Sequence, residues 1–259
     1  MEDTNETRSF GLTGNLLKLI ALVTMTIDHI GVQIFPGVAW FRIVGRLAFP
    51  IFAFMIAEGC RYTRNKAKYL GLIAGTGIFC QLVYYFAEKS LDQCILITFS
   101  LSICLIFAFE QARKKKKVGW WLLFAAVFAA AMFFCTALDH FIPGLSVDYG
   151  WIGMLIPFFI YLMPSFPLRL TALAVGLIAH SLYPVAMSFL GVFLASPQSF
   201  PWGDFLKAFV TKRQNYALLA LIPLAFYNGK RGKAKLKYLF YVYYPLHLGV
   251  IWLISQWIR

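Results

Sequence analysis

Charge is what this sequence has least of. Only 14% of its 259 residues are charged, against 60% hydrophobic, and the mean hydropathy is +0.70. A water-soluble domain of this length needs far more polar surface, which excludes that class. Acidic residues are the scarcest, 11 against 24 Lys and Arg, for a net charge of +13. Such an excess suits nucleic acid, but the cations stand in short clusters between long apolar runs and not along one amphipathic face, so no nucleic-acid partner is expected. The five cysteines (Cys60, Cys80, Cys94, Cys104, Cys135) are scattered singly with no CxxC spacing. They read as small hydrophobes, not as disulfides or metal ligands, and no metal site is expected. There is no long linker, composition shift or internal repeat, so one domain over 1–259 is expected. The acidic and polar opening (residues 1–15) runs into a full-length apolar segment, which does not read as a cleavable signal peptide.

What is present is a series of apolar runs. A hydrocarbon core of about 30 Å takes roughly 20 residues of helix. Nine segments qualify: 15–35, 39–60, 69–87, 94–111, 119–138, 149–165, 168–192, 214–228 and 238–257, the sixth and eighth being short. One loop of roughly 20 residues, 193–213, carries Pro197, Pro201 and Trp202. The expected fold is therefore all-α, a polytopic helical bundle in a lipid bilayer with about nine transmembrane helices. With the amino terminus inside, the inner loops hold Arg8, Arg61, Arg64, Lys66, Lys68, the Arg113-Lys114-Lys115-Lys116-Lys117 run, Arg169, Lys230, Arg231, Lys233, Lys235 and Lys237. The outer side receives Lys89, Lys207, Lys212, Arg213 and Arg259. Positive residues collect on the cytoplasmic side, which predicts N-in and C-out. The basic run reads as a topology signal, and Trp120-Trp121 beside it as an interfacial belt.

Three cations fall inside predicted membrane segments: Lys18, Arg42 and Arg46. Together with Asp28, His29 and Glu58 they crowd the first two helices, where each charge costs at least ~2.5–3.5 kcal/mol on insertion scales. Lys18 and His29 are eleven residues apart, so they share a stripe within about 20° and stand roughly 16 Å apart along the axis. Asp28 points about 100° away from His29. Its depth, about 10 Å below the outer helix end, matches that of Arg46 at about 12 Å, which predicts an Asp28–Arg46 ion pair with Arg42 on the same face. Glu58 matches Lys18 in depth at the inner end. Pairs of this kind glue helices together, but they leave His29, a titratable group suited to general-base work near neutral pH, without a role. His180 reads as a packed histidine. His247, two residues after Pro245, lies where that proline loosens the last helix and frees backbone carbonyls. At the inner mouth of the second helix, Arg61 and Arg64 share a face if the helix continues, and guanidinium forks suit phosphate oxygens.

These pieces resemble the TraX family of membrane proteins, named for the F-pilin acetylase of conjugation systems. The resemblance covers residues 17 to about 253. It rests on Leu17-Lys18-Leu19-Ile20-Ala21, Ile27-Asp28-His29-Ile30-Gly31, Gly45-Arg46-Leu47-Ala48-Phe49-Pro50-Ile51-Phe52-Ala53-Phe54, Ala57-Glu58-Gly59 and Thr63-Arg64-Asn65. It continues in Asp148-Tyr149-Gly150, Tyr227-Asn228-Gly229-Lys230-Arg231-Gly232 and Tyr244-Pro245-Leu246-His247-Leu248. The family is similar in turn to the transmembrane acyltransferases of envelope sugars and lysosomal glycans. Those carry a K/R-x10-H pattern with a catalytic histidine, matched by Lys18 and His29, and a cytoplasmic RxxR that holds acyl-CoA, matched by Arg61 and Arg64.

The resemblance implies an acetyl-CoA-dependent acetyltransferase of the bacterial cytoplasmic (inner) membrane. Acetyl-CoA would bind from the cytoplasm, with Lys18, Arg61, Arg64 and Glu58 around it. His29 would act as general base or transient acetyl carrier; Asp28 and Arg46 join the catalytic set, the role of Asp28 resting on depth matching alone and not carried over from the family. Arg42 would help stabilise charge on the thioester oxygen, and Asp148 and His247 would meet the acceptor from the outer side. That acceptor is the amine of a small secreted or membrane peptide, or an envelope glycan. Two other classes stay open: a proton-coupled transporter or flippase, which buried ionisable groups also suit, and a membrane assembly factor.

Overall fold

Thr13 opens the first helix by accepting a hydrogen bond from the Leu16 amide, and α1 (Gly14–Gln33) follows. The computed structural model describes residues 11–234 and 236–258; Arg8, Lys235 and Arg259, counted above for topology, lie outside the described residues. The second apolar segment is broken into α2 (Ala39–Gly45) and α3 (Ala48–Tyr62). Pro50 has no N–H to give the Arg46 carbonyl four residues back, so the ladder fails there. The amides of Arg46 and Leu47 turn to Ile43 and Val44 instead. Asn65 caps α4 (Lys66–Glu88) through the Lys68 amide. Lys89 and Lys116, both left-handed, end α4 and α5 (Ile95–Lys115). Then come α6 (Val118–Thr136), the one-turn α7 (Leu138–Phe141), α8 (Gly150–Leu162) and α9 (Phe166–Ala195). A short α10 (Trp202–Val210) lies within the stretch expected to be loop, followed by a 3-10 segment (Arg213–Ala220), α11 (Leu221–Ala225) and α12 (Lys237–Ile258).

The chain is an all-helical membrane protein. Among the described residues, seven helices are long and apolar enough to cross a bilayer: α1, the α2–α3 pair, α4, α5, α6, α9 and α12. Large apolar side chains stay exposed on the outside of the bundle, Val118 at 74% and Phe86 at 71%, as lipid-facing residues do. The interior is aromatic and tightly packed, with Phe49 stacked on Tyr149 at 3.8 Å and on Phe99 at 5.9 Å.

Two of the nine expected segments are not full-length helices. The sixth is α8, 13 residues and about 20 Å long. The eighth opens with polar Gln214 and Asn215, and Pro223 removes a donor near its end, so it forms a 3-10 segment and a single α-helical turn, roughly 24 Å together. Both nevertheless run from one end of the bundle to the other. α8 starts beside Phe49 and ends under Arg61; the eighth segment starts at Gln214, against Arg46, and finishes at Tyr227, paired with Leu12.

Candidate functional site

α1 and α12 lie side by side and start at the same end of the bundle: Lys18 sits over the Phe240 ring at 5.5 Å, Thr26 bonds the Tyr243 hydroxyl at 2.7 Å, and the His29 and His247 rings meet edge to face at 5.3 Å. This parallel contact brings the two histidines together. Nδ1 of His247 hydrogen-bonds the Tyr243 carbonyl at 2.9 Å, while its Nε2 is buried with no protein partner. Such a bond makes Nδ1 the donor and leaves Nε2 an acceptor lone pair.

Two cavities lie along α1. The first, about 490 Å³, is lined in part by Lys18, Glu58, Tyr62, Tyr69 and Arg231. The second, about 500 Å³, holds Asp28, His29, Arg42, Arg46 and Asp148. Phe52, Ile95 and Tyr244 face both, so those three side chains form the partition between them. His29 also lines a third, mostly apolar cavity of about 590 Å³ between α1, α4 and α12, with Phe79, Leu82 and Trp252.

The sequence places the right charges in the second cavity but pairs them wrongly. Asp28 bonds Arg42 at 2.6 Å, and Arg46 turns to Gln214 at 3.2 Å. α1 ends at Gln33, so Asp28 lies about 7.5 Å below its end, midway between Arg42 (about 4.5 Å) and Arg46 (about 10.5 Å) below the start of α2. Depth does not choose between them, and Gln214, from a segment read as an ordinary helix, claims Arg46. Gly45 makes the pair possible, because a Cβ there would collide with the Asp28 carboxylate. Asp28→Asn and Arg42→Gln are each expected to lower the melting temperature, with a double-mutant coupling of about 1 kcal/mol or more, since either change strands a partly buried partner. Additive single losses in that cycle, or coupling to Arg46 instead, would show that the pair does not hold the helices.

Asp148 lies in the turn before α8, where Tyr149 (φ 61°) and Gly150 (φ 55°) are both left-handed. Thr98 donates to the Asp148 carbonyl at 2.7 Å and fixes the turn against α5. Surrounding protein pushes the Asp148 carboxyl up to about 6, and Arg46 pulls it back. The side chain is nonetheless exposed where it borders the second cavity.

At the other end, Glu58 and Lys18 do share a cavity, but the carboxylate goes to Arg169 at 2.9 Å, with Arg61 at 3.9 Å. Arg169, read from sequence as a loop cation, is 2% exposed and also donates to the Met163 and Pro164 carbonyls. Arg61 turns inward to the carbonyls of Ile160, Tyr161 and Met163 at the end of α8. α3 stops at Tyr62, so the helix that would put Arg61 and Arg64 on one face does not continue, and Arg64 stands exposed. His180, read as a packed residue, is packed against Tyr149 at 5.2 Å, with its Nδ1 buried and unpartnered near the second cavity.

Comparison with known proteins places this architecture. The family model described as "TraX protein" matches residues 13–255. The chain is 28% identical, over 94% of its length and 96% of the relative's, to the "Probable fimbrial assembly protein FimC, serogroup H1" of Dichelobacter nodosus. It is 32% identical over 98 residues, 38% of each chain, to an uncharacterized protein of Rickettsia prowazekii (strain Madrid E). No solved structure matches. With its matching span running from the cap of α1 nearly to the end of α12, the chain belongs to the TraX family.

Proposed function

We propose that the protein is an acetyltransferase of the bacterial inner membrane that takes acetyl-CoA from the cytoplasm. The observation that carries this reading is the pair of cavities along α1, one with Lys18 and the other with His29, which share Phe52, Ile95 and Tyr244 in their walls. A donor with a charged end and a long thioester arm fits that division. Its anionic end stays at the Lys18 side, and the arm crosses the partition to bring the thioester to His29, about 16 Å away along the helix. The acceptor nitrogen or oxygen attacks the thioester carbonyl, His29 takes its proton, the C–S bond breaks, and CoA leaves as the thiol once the proton is returned to it. Arg42 and Arg46, on the second cavity with His29, would offset the charge gained by the carbonyl oxygen, and Asp148, on the same cavity, with His247, against the His29 ring, would meet the acceptor. A transient acetyl-histidine at His29 is the alternative route.

The acceptor class we favour is the amine of a small secreted or membrane peptide, in keeping with the fimbrial name of the Dichelobacter relative; an envelope glycan is the second. The apolar third cavity beside His29 suits a peptide that arrives from the bilayer. A transporter is disfavoured because the charged first helix pair has no counterpart in the second half of the chain, where a repeat would place it. Purified protein should melt higher with acetyl-CoA and CoA, by an amount that rises with ligand concentration. No shift with either ligand would refute the reading.

The proposed orientation is nine passes with the amino terminus inside, α8 and the 213–225 segment included. A reporter fused after Lys237 is expected to score as cytoplasmic, and one after Arg259 as external. The same score from both would remove α12 as a pass, and an external score after Lys237 would overturn the nine-pass count with the amino terminus inside.

A further inference from the structure

We infer that the first cavity holds a diphosphate between Lys18 and Arg231, on the loop 228–232, and that this, not the Arg61/Arg64 pair, is where the donor's phosphates bind. The inference rests on the acetyl-CoA reading for the identity of the donor, but the anion site stands on its own geometry.

The loop is fastened to the start of α1 by backbone and side-chain bonds. Gly14 N–H donates to Lys230 O at 2.8 Å, Asn15 N–H to Arg231 O at 2.9 Å, and Asn228 N–H to Leu12 O at 3.0 Å. The Asn228 and Asn15 amides add bonds to Gly11 O at 3.1 Å and Ala234 O at 2.6 Å. These bonds set the Arg231 backbone beside residue 15, one helical turn from Lys18. Gly232, left-handed at φ 94°, lies so close to Thr13 that a Cβ would come within 2.9 Å of its hydroxyl. The loop position is thus fixed before any ligand arrives.

The charges then call for an anion. Lys18 and Arg231 line one cavity. Among the described residues neither forms an ion pair, and Lys18 has only the Phe240 ring beneath it. The carboxylate on that cavity wall, Glu58, is already engaged by Arg169 and Arg61. Two like charges facing a partly enclosed space repel each other unless a counter-charge sits between them. A phosphate anhydride supplies one, and an arginine fork with a lysine point charge is the pairing such oxygens favour. Arg61 is committed to the α8 carbonyls, and Arg64 is not on the cavity wall.

The test is binding of acetyl-CoA, S-acetyl-pantetheine and inorganic pyrophosphate to detergent-purified full-length protein, for the wild type, Arg231→Gln, Arg231→Lys and Arg64→Gln. Arg231→Gln should weaken acetyl-CoA about tenfold or more, about 1.4 kcal/mol by the affinity relation. It should leave S-acetyl-pantetheine within about twofold and abolish pyrophosphate binding; Arg231→Lys should restore part of the loss, and Arg64→Gln should change little. Unliganded melting temperatures serve as the folding control. Arg231-dependent pyrophosphate binding with no acetyl-CoA binding would support the anion site while sinking the acetyl-CoA reading. Equal loss of acetyl-CoA and S-acetyl-pantetheine on Arg231→Gln, pyrophosphate binding that survives it, no pyrophosphate binding by the wild type, or a larger loss on Arg64→Gln would overturn the site.

Discussion

His29→Ala is expected to abolish acetyl transfer, by about 10²–10⁴-fold if the imidazole is a general base and by more if it carries the acetyl group, while acetyl-CoA affinity stays within about twofold. The split follows from placement. His29 lines the second cavity and not the first, roughly 16 Å along α1 from Lys18. On the proposed reading, a change there would remove chemistry without touching the end that would anchor the donor. His247→Ala is the informative comparison, because its ring leans on His29 at 5.3 Å and its Nε2 faces no protein partner. If His247 positions the acceptor, its loss raises the acceptor KM more than it lowers kcat. Near-wild-type turnover in His29→Ala with an acceptor in hand would remove the catalytic assignment.

Arg169→Met should cost stability on the order of 3–5 kcal/mol, because it removes the closest cation from the buried Glu58 carboxylate. Arg61 at 3.9 Å compensates in part, which favours the lower end of that range. The change also frees the Pro164 carbonyl, at a further cost, while the Met163 carbonyl keeps its bond from Arg61. Restoring neutrality with Glu58→Gln in the same chain should recover much of the loss, as thermal melting in detergent would show. A double variant no more stable than Arg169→Met would mean that the guanidinium matters for its carbonyl bonds and not for the carboxylate.

The bundle and its charged first helices are legible in the sequence, since a membrane leaves few ways to place an apolar run and makes each buried charge conspicuous. The partners of those charges are less so. Counting 1.5 Å per residue puts Asp28 equally near Arg42 and Arg46 once α1 ends at Gln33. What separates them is Gln214, which reaches Arg46 from a 3-10 segment that hydropathy alone presents as one more span. Arg169 was hidden for a different reason. Three residues after Phe166 opens α9, it has the position of a loop cation, yet the helix tilts it into the core onto Glu58. The Arg61/Arg64 spacing misleads because α3 ends between the two residues. The loop that carries part of the family resemblance holds a further signal: Gly229 and Gly232 flank Lys230 and Arg231, and both glycines are left-handed in the structure. A basic loop bent twice in this way, opposite a lone intramembrane lysine, is the feature that would have pointed to the first cavity.

The most direct measurement uses proteoliposomes of known orientation, with ¹⁴C-acetyl-CoA supplied on one side and an amine-bearing peptide acceptor enclosed on the other. The account predicts labelled peptide when acetyl-CoA meets the Lys18 side, none when it meets the His29 side, and none from His29→Ala on either side. Label that appears from both sides alike, or that persists without His29, would contradict it.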